Sequence, residues 1–241
     1  MGLAHGVNIV KDGLVFYIDS ANQRSYPGSG TTWNTLVGDK NVELENGAAY
    51  ETNNLGGIVF DGDDDYAETT SFPEINGSST YTFNVWIKYG GTKTDVQSIF
   101  GIPKQGSWAE DLDFRWYPSS TMLLYTMNTN TKFQNENVNL STTHFTNICL
   151  VVNSAESSTA DKVKVYLNGS TIARESGASH AITVLTSDTQ PLYIAGSRMG
   201  NDFGVSKFFD GNINLVSVYN RSLSSQEVKQ NYNALKGRFG L

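Results

Sequence analysis

The sequence predicts an all-β protein of two packed antiparallel sheets, closed by one short C-terminal helix. Three observations carry that prediction. Strand-like segments of period two recur along the chain, the connections between them are rich in Gly, Asn and Asp, and a single stretch shows helix signals. With 241 residues, of which 39% are apolar, the chain can bury a sizeable core.

The first strand is expected at residues 13–19 (GLVFYID), followed by a polar loop that turns at Tyr26-Pro27-Gly28. Residues 57–60 lead into an aspartate-rich turn, FDGDDD at 60–65, after which 66–68 resume an extended path. At 80–89 (TYTFNVWIKY), Tyr81, Phe83, Val85, Ile87 and Tyr89 alternate with Thr82, Asn84, Trp86 and Lys88, the pattern of a half-buried strand. Residues 111–117 (DLDFRWY) alternate as clearly, with Leu112, Phe114 and Trp116 opposite Asp113, Arg115 and Tyr117. The stretch 145–152 is apolar on both parities towards its end, as in a central strand covered on both sides. Segments 162–167 and 170–174 flank Asn168-Gly169, a strong hairpin signal, and strands at 192–195 and 211–219 complete the set.

The helix is expected at 225–236. Ser224 can cap it, Glu227 closes a capping box, and Leu223 with Val228 forms a hydrophobic staple. Val228, Tyr232 and Leu235 share one face, and Gly237 supplies a left-handed stop. A helix this short is marginal alone, so it must lie on the sandwich. No composition break divides the chain, which predicts an N-terminal arm, 1–12, and one domain, 13–241.

Lys and Arg total 17 against 24 Asp and Glu, a net charge of −7. No basic stripe is present to neutralise phosphates, so nucleic acid and anionic membranes are poor partners. No stretch approaches the roughly 20 apolar residues that span a bilayer, so no membrane insertion is expected. The opening MGLAHGVNIVKDG has neither a basic n-region nor an apolar h-region, so no signal peptide is expected. Cys149 is the only cysteine, sits in an apolar run and can form no intramolecular disulfide.

The chemistry-bearing residues are few. Asp61, Asp63, Asp64 and Asp65 gather negative charge that a cation would relieve, and calcium suits a flexible set of oxygen ligands. The metal candidates are Asp63 and Asp65 with Asp19; no cofactor is otherwise required. A second Phe-Asp-Gly triplet, Phe209-Asp210-Gly211, lacks the trailing aspartates. What the copies share is an aromatic that can pack inward, an Asp able to cap backbone N–H groups, and a Gly free to adopt positive φ. That commonality marks the triplets as structural corners. His5, His144 and His180 fit no metal spacing, and no nucleophile elbow or phosphate loop occurs.

The blocks GLVFYID (13–19), SYPGSGTTW (25–33), VFDG (59–62), YTFNVWI (81–87), KVYLNG (164–169), FDGNI (209–213) and VYNRSLS (218–224) together resemble the laminin-G-like, or concanavalin A-like lectin/glucanase, superfamily, in its branch common in phage and bacterial surface proteins. The resemblance spans residues 12–236. It implies a two-sheet jelly roll in which the strands near 13–19 and 211–219 are neighbours and the helix packs at the domain edge. It also implies a binding or surface role, since relatives often bind glycans, some with calcium, while others hydrolyse them. Glucanase members carry Glu-x-Asp-x-x-Glu on a strand, and this chain has no such motif; Glu110-Asp111-Leu112-Asp113 is the nearest approach. A noncatalytic protein is therefore expected.

For a glycan, aromatic rings must sit beside hydrogen-bonding side chains. Trp108, Asp113, Arg115 and Tyr117 form one such neighbourhood, Trp33 with Tyr26 another, and Asn201 and Asp202 lie in a glycine-flanked loop. The segment His5–Val10 resembles the entry of such domains in marine phage structural proteins. The resulting expectation is a virion surface module, for decoration or attachment, that contacts other virion proteins and cell-surface glycans and assembles as a symmetric homo-oligomer. The second expectation is a calcium-assisted lectin domain of an extracellular or cell-surface protein.

Overall fold

The computed structural model describes residues 8–52, 56–104, 110–127, 130–158, 160–175, 182, 184–185, 189–198 and 204–241, with the backbone alone at Glu110, Asp111, Met122, Leu124, Met127 and Asn130. The chain begins with β1 (Leu14–Asp19), β2 (Thr32–Trp33), β3 (Val42–Glu45), β4 (Ala49–Glu51), β5 (Gly57–Asp61) and β6 (Tyr66–Thr69). It continues through β7 (Thr80–Tyr89), β8 (Gln97–Pro103), β9 (Glu110–Tyr117), β10 (Met122–Met127), β11 (Asn130–Asn135) and β12 (Thr146–Asn153). Next come β13 (Val163–Leu167), β14 (Ser170–Thr171), β15 (Tyr193–Ile194), β16 (Ser197–Arg198), β17 (Val205–Ser206) and β18 (Asp210–Tyr219). Helix α1 (Ser225–Leu235) follows, and a 3-10 turn, Lys236–Phe239, ends the fold.

Two antiparallel sheets result. The first runs β14-β13-β12-β7-β18-β5-β4, with β1 also on β18; the second runs β11-β10-β9-β8-β15-β6-β3-β2. Strands β16 and β17 form a small separate hairpin. The expected adjacency of opening and closing strands is present, with Leu14 paired to Tyr219 and Asp19 to Leu215. Between the sheets, Phe83 of β7 stacks on Phe100 of β8 at 4.5 Å, and Phe100 on Phe114 of β9 at 5.1 Å. All three are buried in one continuous apolar core, where each such ring contributes about 2–3 kcal/mol by burial.

The 80–89 strand departs from the half-buried expectation, because both of its faces are covered. Its second face lies under the closing helix: Trp86 stacks on Phe239 at 4.1 Å and on Tyr232 at 5.8 Å, with Phe145 and Leu215 beside it. Alternation in sequence records the polarity of the two faces and not the presence of a third layer. The capping box forms as expected: Ser224 Oγ accepts from the Glu227 N–H, and the Glu227 carboxylate accepts from the Ser224 N–H. Leu223 and Val228 are both buried in the cluster around Cys149, Val151, Tyr166 and Tyr219.

Two further details differ. Gly237 does not stop the helix; the chain tightens into the 3-10 turn and reverses at Gly240, φ 74°. That extra turn swings Phe239 onto Trp86. Residues 8–12, expected as an arm, are held against the helix. The Val10 N–H donates to Asn231 Oδ1 at 2.8 Å, and Tyr219 Oη donates to the Val10 carbonyl at 3.0 Å.

Candidate functional site

The two Phe-Asp-Gly triplets face one another. Asp61 pairs with Asp210 and Phe60 with Gly211 across β5 and β18, and Phe60 and Phe209 are both buried in the main core. Each aspartate then fastens a loop. Asp61 Oδ1 accepts from the N–H of Asp63 at 2.8 Å and of Asp64 at 3.4 Å, which shapes the 61–65 turn. Asp210 Oδ2 accepts from Thr92 N–H at 2.7 Å, Thr92 Oγ1 at 2.8 Å and Lys93 N–H at 3.2 Å, tying down the β7–β8 connection. Gly211 has φ 139° and lies against β7; a Cβ there would run into the Lys88 carbonyl oxygen. Gly62, φ 74°, leaves no room for a Cβ either, with Asp210 Cβ and Lys93 Cγ both 2.9 Å from that position.

These corners build a cleft of about 350 Å³ whose walls are Asp63, Lys93, Asp95, Gln97, Lys207 and Phe208. Lys93 Nζ donates to Asp63 Oδ1 at 2.6 Å, and this hydrogen bond to an exposed carboxylate raises the Lys93 ammonium above its ordinary pKa. Gln97 is fixed from behind, its Oε1 accepting from the Asp210 N–H at 2.9 Å. From Phe208 an aromatic run continues over the outer side of the second sheet: Phe208 to Tyr66 at 6.3 Å, then Tyr66 to Tyr193 at 5.9 Å. Glu68, opposite Tyr193 in register, is half-buried, and burial raises its carboxyl above the usual range.

Beside the cleft, Asp61, Asp64 and Asp65 bring carboxylate oxygens within 4.8 Å of one another, close enough to hold a divalent ion such as calcium. The three differ in environment. Asp61 is exposed and held below the usual carboxylate range by the N–H of Asp63, whereas Asp65 is buried and pushed up by desolvation. An ion here would relieve the charge that Asp61 and Asp64 impose on Asp65.

The sequence profile of the concanavalin A-like lectin/glucanases superfamily matches residues 61–229, well over half of the chain. The chain belongs to this superfamily. No curated protein matches it. Among solved structures, a Trypanosoma rangeli sialidase in complex with sialic acid superposes with a TM-score of 0.70 at 15% identity over 98% of this chain. That alignment covers 36% of the sialidase, so the chain spans about a third of the length of that relative. Domain 4 of the extracellular arabinanase AbnA from Geobacillus stearothermophilus, in complex with arabinotriose, gives a TM-score of 0.59 at 15% identity, over 92% of this chain and 100% of the domain. The binding domain of botulinum neurotoxin DC in complex with rat synaptotagmin II gives 0.62 at 12% identity, over 92% of this chain and 52% of that one. At these identities the superpositions establish a shared fold.

As a superfamily member the chain places its sequence-derived candidates unevenly. Asp113 is fully buried and committed: its carboxylate receives Ser98 Oγ at 2.6 Å, Arg115 Nε at 2.6 Å, Ser197 Oγ at 3.0 Å and Lys207 Nζ at 3.1 Å. It therefore clamps the β16–β17 hairpin onto the second sheet and has no oxygen to offer a sugar, a correction to its reading as a ligand residue. Arg115 is drawn into that same clamp, and Tyr117 remains partly exposed at the end of β9. Trp33 is also corrected: it is wholly buried in the sandwich core, because the short pairing of β2 with β3 turns its indole inward. Tyr26 is buried too, its ring tilted against that of Tyr50 at 5.1 Å, which removes that platform.

Of the metal candidates, Asp65 belongs to the acidic trio, but Asp63 faces Lys93 and Asp19 lies elsewhere. Asp19 Oδ2 receives Arg238 Nη1 at 2.7 Å, a partner supplied by the C-terminal turn. Asp61 and Asp64 take their places. Trp108, Asn201 and Asp202 lie outside the described residues. The cleft residues Lys93, Asp95, Lys207 and Phe208 were missed; pairing the two Phe-Asp-Gly triplets in antiparallel register would have brought 207–208 beside 62–63. Cys149 is buried, with its thiol pushed up by desolvation, as expected of an inert core thiol.

Proposed function

We propose that this chain is a noncatalytic carbohydrate-binding module that holds a saccharide in the cleft between the Phe-Asp-Gly corners, assisted by calcium at Asp61, Asp64 and Asp65. The carrying observation is the pair of part-exposed rings Phe208 and Tyr66, 6.3 Å apart, beside walls that bear Asp63, Asp95 and Lys93. Sugar rings present apolar C–H faces that rest on aromatic side chains, while their hydroxyls need both donors and acceptors. The similarity to a complete domain solved with arabinotriose, and to a sialidase solved with sialic acid, supports this reading. The absence of the glucanase carboxylate motif supports the noncatalytic part, as does the committed state of Asp113.

Among the described residues no helix is long and apolar enough to cross a membrane. A virion-surface setting is a narrower form of the proposal; it draws on the N-terminal stretch alone, most of which lies outside the described residues. Glycan-array screening followed by calorimetry tests the binding. Asp95→Ala, at an exposed side chain, and Phe208→Ala, at a half-buried ring outside the main core, are expected to weaken a hit at least tenfold, with circular dichroism checking that the fold is intact. A full array without a hit in calcium-containing buffer, or hits indifferent to both substitutions, removes the cleft from consideration.

A further inference from the structure

The dipeptide Asn-Gly occurs three times, at Asn46-Gly47, Asn76-Gly77 and Asn168-Gly169. In this dipeptide an asparagine loses its side-chain amide most readily, because a glycine puts no Cβ in the way when its own backbone nitrogen attacks the side chain before it. All three asparagines are exposed, so neither sequence nor accessibility separates them. Hydrogen bonding does.

The reaction needs two groups at liberty: the glycine nitrogen as nucleophile and the asparagine Cγ as electrophile. In the second pair the Gly77 N–H donates to the Leu185 carbonyl at 2.9 Å, so the nucleophile is tied down. In the third pair Asn168 Oδ1 accepts from the Asn147 N–H at 2.9 Å, and the Asn168 N–H donates to the Asn147 carbonyl at 2.9 Å. Those two bonds pin the electrophile at the tip of the β13–β14 hairpin. The first pair lies on the turn between β3 and β4, and there neither group is held. Among the described residues the Gly47 N–H and Asn46 Oδ1 make no hydrogen bond. Only the departing atom is fixed, since Asn46 Nδ2 donates to the Asp64 carbonyl at 2.8 Å from an exposed position. The same bond sets the turn against the acidic trio: a Cβ on Gly47 would lie 3.2 Å from Asp65 Oδ1.

We propose that Asn46 is a deamidation site and that its product regulates the cation affinity of the acidic trio. The Gly47 nitrogen bonds to Asn46 Cγ, and the Cγ–Nδ2 bond breaks. The Gly47 proton passes through solvent water to Nδ2, which leaves as ammonia. One water then opens the succinimide at either carbonyl, giving aspartate or isoaspartate; a water is consumed, an ammonia is released, and nothing is oxidised or reduced. Position 46 thereby exchanges a donor to the Asp64 carbonyl for a fourth carboxylate beside Asp64 and Asp65. Calcium sites tighten as the charge of their ligands rises. This regulatory half rests on the calcium reading of the trio, whereas the modification itself does not.

The test incubates the full, folded chain at mildly alkaline pH and follows the three sites over time by peptide mass mapping, beside a sample held in guanidinium chloride. The folded chain is expected to convert Asn46 about fivefold faster than Asn76 or Asn168, the rate equivalent of one hydrogen bond that must break before attack. Unfolding is expected to bring the three rates together, and Asn46→Gln, which must close a larger ring, is expected to stay intact. Equal rates in the folded chain, or a lead by Asn76 or Asn168, would overturn the site. Melts over a calcium titration of fresh chain, aged chain and Asn46→Asp read the second half. Asn46→Asp is expected to lower the half-saturating calcium about two- to fivefold, the worth of one added exposed charge. Conversion at Asn46 with an unchanged calcium response would overturn the regulatory half. A fresh chain indifferent to calcium would overturn it together with the ion reading of the trio, and the mass ranking would still decide the modification site.

Discussion

Replacing Asp210 by alanine should separate the corner role of the Phe-Asp-Gly triplet from a merely decorative one. Asp210 Oδ2 gathers three donors from Thr92 and Lys93, at 2.7, 2.8 and 3.2 Å, while the aspartate is almost entirely buried. Each bond contributes about 1 kcal/mol here, near the low end for a charged acceptor, because the freed donors on an exposed loop can turn to water. The loss expected from Asp210→Ala is therefore about 3 kcal/mol, and Asp210→Asn, which keeps one acceptor oxygen, should recover roughly half of it. Urea unfolding at pH 7 with linear extrapolation gives both numbers. A double-mutant cycle with Thr92→Val should return a coupling of about 1 kcal/mol, and amide exchange at Thr92 and Lys93 should accelerate as the loop comes free. If Asp210→Ala costs less than about 1 kcal/mol, or Thr92→Val costs the same in both backgrounds, the aspartate does not hold the cleft wall and the account of how the cleft is built fails.

Three other outcomes are expected. Gly211→Ala should destabilise by about 3 kcal/mol or more, because its Cβ meets a backbone carbonyl that cannot retreat without breaking the β7–β18 ladder; a melting temperature near that of the parent would contradict this. Glu227, hydrogen-bonded first by Arg221 and then by Ser224, has its pKa lowered from 4.5 to about 2. Its contribution is thus fully present above about pH 4.5 and lost as pH falls through about 2, so Glu227→Gln should cost about 1 kcal/mol at pH 7 and almost nothing near pH 2, as read by denaturant titration at both pH values. Millimolar calcium should raise the melting temperature, with a gain of about 2.7 kcal/mol at a hundredfold excess over Kd, and chelator or Asp64→Asn should abolish the rise; identical melts with and without calcium would remove the ion from the trio.

What the sequence by itself determined is whatever depends on neighbours along the chain. Period-two alternation at 80–89 and 111–117 dictates strands, Asn168-Gly169 a hairpin, and Ser224 with Glu227 a helix start, and all of these are present. The role of the Phe-Asp-Gly triplets as corners was legible for the same reason, since a buried aromatic, a capping carboxylate and a glycine at positive φ act within a few residues. The tertiary structure decided what each exposed-looking side chain meets. Asp113 alternates outward in sequence, yet Lys207, 94 positions away, reaches it and buries its charge. Asp19 is claimed by Arg238 from the last turn, and Trp86 is roofed by Phe239. The cleft between the Phe-Asp-Gly corners joins residues 62–63, 93–97 and 207–208. Periodicity tells which way a side chain points from its own strand; only strand register and the stacking of layers tell what occupies the space it points into.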